Sequence, residues 1–219
     1  MEGFIKSKRG AIGIGTLIIF IALVLVAAVA AAVIINTAGH LQQKASAVGR
    51  ESVKQVASGI QVIKVVGYAN DISNINSNIN KLAIIISPNI GDSIDLNSTI
   101  VVLSDGDIKM SLVYSGNISH AEKNGTYNIF DDGKAWINDN ESKFGVIVLQ
   151  DDDGSTNNKL HPTINYGDKV VLTVNVGELL GGIPPKKHVF GEVIPEYGAS
   201  GVIDFITPST YTTHVIDLQ

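Results

Sequence analysis

The stretch AIGIGTLIIFIALVLVAAVAAAVII, residues 11–35, runs for 25 residues without a charged side chain. As an α-helix it would be about 37 Å long, which exceeds the ~30 Å hydrocarbon core of a bilayer. Three basic residues, Lys6, Lys8 and Arg9, precede it, and the next lysine or arginine is Lys44. By the positive-inside rule, these charges predict a membrane span whose N-terminus stays in the cytoplasm and whose remainder goes outside the cell.

The position of the small residue Gly10 distinguishes this segment from an ordinary secretory signal. Such a signal has a shorter apolar core, and its cleavage site follows that core. Here Gly10 stands before the apolar run, directly after the basic tail. Cleavage between Gly10 and Ala11 would remove residues 1–10 and keep the apolar helix. The 16 basic and 21 acidic residues of the chain would fall to 13 and 20.

The helical pattern continues beyond the apolar run. From Asn36 to Val66 the sequence contains no proline, and its apolar residues recur at spacings of three or four. We therefore predict one long helix over residues 11–66, apolar all round at first and amphipathic afterwards. The small residues at 27–32, AAVAAA, would let a second helix approach closely. On the residues alone, a plain single-pass anchor is the alternative.

The rest of the chain predicts a β domain. The segment 67–81 is rich in Asn and Ser and is typical of a linker. In 82–219, short Val- and Ile-rich runs such as TIVVLS, GVIVLQ and KVVLTVNV are separated by the turn sequences SDGD, DDDGS and NYGD. This pattern predicts about eight to ten strands in a sandwich or barrel. The predicted fold class is α+β, with a long N-terminal α-helix followed by an all-β, Ig-like domain.

Composition and motifs exclude several classes of function. The net charge of -5 argues against a nucleic-acid partner, which would require a basic surface. Because the chain has no cysteine, disulfide scaffolds and cysteine-based metal or redox sites are excluded. The five histidines form neither H-x-H nor H-E-x-x-H, and no G-x-S-x-G sequence is present. We therefore predict that the protein is not an enzyme and requires no cofactor.

One acidic loop is a candidate metal site. The sequence DDDGSTNN, residues 151–158, is the densest group of hard oxygen ligands in the chain, and such ligands suit Ca²⁺. Asp151, Asp152 and Asp153 are the candidate ligands. The loop is not an EF-hand, because the twelfth position counted from Asp151 is Pro162 rather than Glu. A solvated acidic turn between strands is the alternative.

The chain also contains Asn-x-Ser/Thr sequons, which are candidate sites of N-linked glycosylation. All of them follow the predicted membrane span, so each would lie outside the cell. The asparagines are Asn97, Asn117, Asn124 and Asn140.

Two segments resemble a known family. The N-terminal sequence KRGAIGIGTLIIFIALVLVAAVAAAVIINTAGHLQQKA and the C-terminal sequence GEVIPEYGASGVIDFITPSTYTTHVIDL resemble the archaellins, the subunits of the archaeal flagellum. The resemblance covers about a third of the chain. Type IV pilins share this plan, but many of them have Glu at the fifth mature position. This chain has Gly15 there, as archaellins do.

The resemblance implies a processing and assembly pathway. It implies a class III signal peptide, cut after Gly10 by a prearchaellin peptidase, which is a membrane-embedded aspartic protease. The mature helix would then leave the bilayer and form the core of an extracellular filament for swimming motility, with the β domain as its sheath. The implied partners are further copies of the chain, related archaellins, the archaellum assembly machinery and the membrane before assembly.

Other functions compete with this interpretation. An adhesive type IV pilus-like subunit shares the same assembly chemistry, and only Gly15 and the terminal segments favour the archaellin. A single-pass, membrane-anchored binding domain would keep its N-terminus and stay monomeric. An exported enzyme lacks any candidate site in the sequence.

Overall fold

The computed structural model describes residues 2–72, 77–89, 93–121, 128–138 and 141–219, with side-chain detail from residue 13 onward except at residue 57. The chain divides into two compact units, the first ending at Glu51 and the second comprising Ser52–Gln219. Each unit is described by itself.

A single helix accounts for the first unit. Helix α1 spans Glu2–Ala57, 56 residues without a proline. Its apolar half consists largely of Leu, Ile, Val and Ala, so its surface offers no polar face. Two hydroxyls bond to the preceding turn of the helix: Thr16 donates to the carbonyl of Gly13, and Thr37 donates to that of Val33, both at 2.9 Å.

Helix α1 ends earlier than the sequence pattern predicted. It stops at Ala57, and a strand runs over Ile60–Ala69 where the helix was expected to continue to residue 66. The predicted linker 67–81 is likewise shorter, because strands occupy both of its ends. The segment IQVIKVV is rich in β-branched residues, which favour strands, and pairing with two neighbouring strands satisfies its backbone. This long-range pairing outweighs the local spacing of apolar residues.

The second unit is a β domain with short helical turns. Within the described residues its strands are β1 Ile60–Ala69, β2 Ile79–Pro88, β3 Ile94–Asp95, β4 Ile100–Ser104, β5 Lys109–His120, β6 Lys143–Gln150, β7 Thr163–Ile164, β8 Lys169–Val174, β9 His188–Ile194, β10 Gly201–Ile206 and β11 Val215–Asp217. Helix α2 spans Val176–Leu180, and 3₁₀ turns span Leu96–Ser98 and Ser155–Asn157. The predicted α+β class with an all-β outer domain is confirmed.

Nine strands form one sheet, in the order β10-β9-β4-β5-β6-β8-β2-β1-β11, while β3 and β7 pair separately. Neighbours are antiparallel except β5 and β6, which run parallel. The sheet curls until its distant strands meet: the amide of Ile60 donates to the carbonyl of Ala199 at 3.0 Å. On β10, the side chain of Gln219 accepts from the amide of Asp204 at 2.9 Å. The domain is therefore barrel-like rather than two separate stacked sheets.

The curled sheet encloses one apolar core and carries a second on its outer face. Leu82, Phe144 and Leu172 are fully buried inside. Outside, the segment before β6 packs Phe130 and Trp136 against the sheet, with ring centroids 5.7 Å apart. Because this covering segment buries the outer face as well, the strands at the centre of the sheet are buried on both faces. Strands β6 and β8 are therefore apolar along most of their length instead of alternating.

Candidate functional site

The apolar part of α1 is exposed all round. Fourteen large apolar side chains between Ile14 and Ile35 are each at least 50% exposed. At about 1.5 kcal/mol for each such side chain, burying them would yield about 20 kcal/mol. A surface of this size requires either lipid or other protein around it. By length and composition, the helix between Gly13 and Val56 is able to cross a membrane.

Four glycines of helix α1 have no neighbour among the described residues that would require their small size. A Cβ added at Gly13, Gly15, Gly39 or Gly49 would meet nothing within 4 Å. Each glycine nevertheless costs a helix about 1 kcal/mol relative to alanine. Close approach of a neighbouring helix is the usual reason for small residues on such a surface.

A carboxylate cluster lies at one end of strands β6 and β8. Carboxylate oxygens of Asp151, Asp153 and Asp168 all lie within 4.8 Å of one another. The register explains why they meet: Gln150 pairs with Lys169 in antiparallel strands, so Asp151, which follows Gln150, and Asp168, which precedes Lys169, lie together at the same end of that pair.

Two of the predicted ligands belong to this cluster and one does not. Asp151 accepts from the amide of Gly154 at 2.7 Å, and Asp153 accepts from that of Ser155 at 2.9 Å. The bond from the Ser155 amide, with further hydrogen bonds from the side chains of Ser155 and Asn165, holds the pKa of Asp153 below its usual value. Asp152 is exposed and lies outside the cluster. Asp168 was not among the predicted ligands, and its place in the turn NYGD is the only sign of it in the sequence.

Asp168 is the buried member of the cluster. Its side chain is 1% exposed, and its Oδ2 accepts from the amide of Asn165 at 2.9 Å. Its Oδ1 is buried and has no hydrogen-bond partner among the described residues. Burial raises the pKa of this carboxyl, and the charges of Asp151 and Asp153 raise it further.

The donor set fits a hard divalent cation. Three carboxylates that converge within 4.8 Å offer the oxygen ligands that Ca²⁺ and Mg²⁺ prefer. An uncompensated buried carboxylate oxygen is costly, and a cation at the cluster would remove that cost. Asp151, Asp153 and Asp168 are the residues that would hold it.

Two of the four sequon asparagines lie among the described residues. Asn97 is exposed in the turn Leu96–Ser98, and the hydroxyl of Thr99 in the same sequon is buried against the carbonyl of Asp95. Asn117 is exposed in β5, directly after Gly116, where the pairing of β5 with β6 shifts register. Asn124 and Asn140 lie outside the described residues.

The proposed processing position lies at the start of α1. Gly10 and Ala11 both belong to the helix as its backbone is described. Only the backbone of these two residues is described.

The histidines of the β domain do not converge. His161 contacts Asp95 at 2.8 Å, His188 contacts Asp204 at 2.6 Å, and the partner of His214 is the carbonyl of Ala69. His120 contacts Thr156 at 3.2 Å. Because each has a different partner on a different element, these four histidines make no common site.

The two units together define a class of protein. A helix with a long, exposed, uncharged run is followed in the same chain by a curled β domain with its own core. That is the plan of a pilin-like subunit, in which the apolar surface of the helix is buried by lipid or by other subunits.

Comparison with known proteins identifies the family. Residues 10–205 match the family model of archaeal-type flagellin. The chain is 62% identical to Flagellin B3 of Methanocaldococcus jannaschii, over 99% of this chain and 98% of the relative.

Solved structures agree. The crystal structure of archaeal flagellin FlaB1 from M. jannaschii matches with a TM-score of 0.62 and 34% identity, covering 74% of this chain and 98% of that one. The archaeal flagellum of Methanospirillum hungatei has the same fold, with a TM-score of 0.60 at 18% identity, covering 93% of this chain and 98% of that one. The chain belongs to the archaeal-type flagellins.

Proposed function

We propose that this chain is a structural subunit, not an enzyme, that polymerises through helix α1 into the filament of an archaeal flagellum and so serves swimming motility. One observation carries the proposal: a member of the archaeal-type flagellin family exposes fourteen large apolar side chains along one helix. Packing of these helices against one another would bury that surface in the filament core.

A charge placed in the small-residue part of the helix tests this proposal. Ala31→Asp should abolish filaments, because a buried carboxylate without a partner costs on the order of 3–5 kcal/mol, roughly a factor of 10²–10⁴ in subunit affinity. Ala31→Ser is the matched control, since a helical hydroxyl can bond to its own backbone as those of Thr16 and Thr37 do.

The assay is electron microscopy of material sheared from cells of the native host that produce only the variant. Normal filaments from Ala31→Asp would show that α1 is not buried between subunits. Loss of filaments in both variants would point to misfolding or failed export instead, and immunoblotting of the membrane fraction separates these cases.

The precursor is inserted in the membrane and is cut between Gly10 and Ala11 by a prearchaellin peptidase. The support is physical: Lys6, Lys8 and Arg9 would carry unpaired charge into an apolar filament core. The family match also begins at residue 10. The archaellum assembly machinery would then transfer the mature helix from lipid to the growing filament, alongside related archaellins.

The acidic cluster binds a divalent cation, with Ca²⁺ the leading candidate. The argument rests on the convergence of three carboxylates and on the buried Oδ1 of Asp168, which lacks a partner among the described residues. A cation would tie the loop after β6 to the start of β8 in a domain that has no disulfide.

The sequons carry N-linked glycans on at least two of their four asparagines. The exposure of Asn97 and Asn117 supports attachment at these two positions, since a glycan there would displace no core residue. Sugar on the sheath would also keep neighbouring filaments from associating through exposed sheet edges.

A further inference from the structure

The β domain has an apolar groove on its outer surface. The groove lies across strands β4, β9 and β10 and has a volume of about 220 Å³. Phe190 and Val202 line it and are 43% and 60% exposed. Ile206, farther along β10, is 67% exposed. Exposed apolar side chains grouped on one surface favour contact with another protein.

The groove is also acidic. Among its lining residues are two carboxylates, Glu192 and Asp204, and one ammonium group, that of Lys109. The strand register places them beside the apolar side chains: Glu192 pairs with Val202, and Asp204 pairs with Phe190. A ligand that fits this groove therefore combines an apolar side chain with a positive charge.

The same chain presents such a pair elsewhere. Leu160, in the loop between β6 and β7, is 75% exposed, and the exposed Lys159 directly precedes it. Neighbouring residues hold this loop in place: the Tyr114 hydroxyl donates to the carbonyl of Lys159 at 3.2 Å, and His161 contacts Asp95 at 2.8 Å. Leu160 is thus an exposed apolar side chain on an anchored backbone, which lowers the entropy cost of binding.

We infer that the groove of one subunit receives Leu160 and Lys159 of a second copy of this chain. Leu160 would pack against Phe190 and Val202, and the ammonium of Lys159 would approach Glu192, since Asp204 already contacts His188. An open helical polymer requires that two different surfaces of one subunit meet, and a groove and a protruding side chain on separate elements satisfy that requirement. The inference rests on the proposed filament function and adds a contact between β domains.

Cysteine crosslinking tests the contact directly, because the chain has no cysteine of its own. The full-length double variant Leu160→Cys, Val202→Cys is produced in the native host, and sheared filaments are oxidised and run on a denaturing gel without reductant. We expect a ladder of covalent oligomers that reductant abolishes. Leu160→Cys combined with Ile72→Cys, another exposed apolar position, is the matched control and should stay monomeric.

A charge exchange tests the polar half of the contact. Lys159→Glu and Glu192→Lys should each raise the subunit released from filaments into the supernatant about tenfold, and the double variant should restore release to near the original level. Lys134→Glu, at an exposed position of the segment that covers the sheet, is the control and should leave the release unchanged.

The outcomes separate this inference from the proposed function. If filaments form but the cysteine pair gives no ladder and the double charge exchange gives no rescue, the groove binds something other than a second copy and the inference is wrong. A disulfide within one chain, seen as a monomer of altered mobility, would also overturn it. If the unmodified chain forms no filaments at all, the proposed function itself fails.

Discussion

Replacing Asp168 by Asn should separate two effects of the acidic cluster on stability: the cost of a buried charge and the gain from binding a cation. The substitution keeps an oxygen to accept from the amide of Asn165 but removes the buried charge. Without a cation, the variant should be at least as stable as the original, because burial and the charges of Asp151 and Asp153 disfavour the ionised form of Asp168. With Ca²⁺, the original should gain stability and the variant should not.

The size of the gain follows from mass action. At a free Ca²⁺ concentration one hundred times the Kd, binding stabilises the folded state by about 2.7 kcal/mol. The compact unit Ser52–Gln219 is large enough that each kcal/mol shifts its Tm by roughly 2–4 °C. The expected rise in Tm on adding Ca²⁺ is therefore about 5–11 °C for the unit Ser52–Gln219 with its natural sequence. For the same unit carrying Asp168→Asn it is less than about 2 °C.

The pH dependence has a defined sign. The folded-state pKa of Asp168 lies above its ordinary value, so without a cation this group contributes stability that is present below about pH 3.9 and lost as the pH rises through the folded-state pKa. Ca²⁺ reverses that preference by binding the ionised form. The gain in Tm from Ca²⁺ should therefore be full at neutral pH. It should disappear as the pH falls into the range where the carboxyl of Asp168 becomes protonated.

Thermal unfolding followed by circular dichroism, with EGTA or with Ca²⁺ in excess, measures both effects. Asp152→Asn is the matched control and should keep the full calcium response, because Asp152 lies outside the cluster. Equal calcium shifts in the original and in Asp168→Asn, or no shift in either, would refute the reasoning and leave the loop a solvated acidic turn.

Three further predictions concern processing, modification and packing. Mass spectrometry of assembled filaments should find Ala11 at the N-terminus, and retention of the ten residues up to Gly10 would contradict the assembly scheme. The intact mass of protein from its native host should exceed that of residues 11–219 by at least two glycans, whereas an unmodified mass would rule them out. Gly145→Ala should unfold the β domain, because its Cβ would lie 1.8 Å from the carbonyl oxygen of Ala135, and an unchanged Tm would show that the covering segment moves aside freely.

Much of the fold could be predicted from the sequence because its patterns are local. Twenty-five uncharged residues with a basic flank define the helix and its orientation toward a membrane whatever the rest of the chain does. The runs LAIIIS, TIVVLS and KVVLTVNV became β2, β4 and β8, since β-branched residues between Gly- and Asp-rich turns have few other structures available.

The tertiary structure decided where these local signals compete or are absent. The segment after Ala57 has an apolar spacing that suits a helix and residue types that suit a strand. It forms a strand because its backbone pairs with β2 and β11. The closeness of Asp151 and Asp168 depends on the register of β6 with β8. A register depends on how the apolar faces of two strands are buried together. These two strands are distant in the sequence, so neither strand's own pattern predicts that Asp151 and Asp168 will meet.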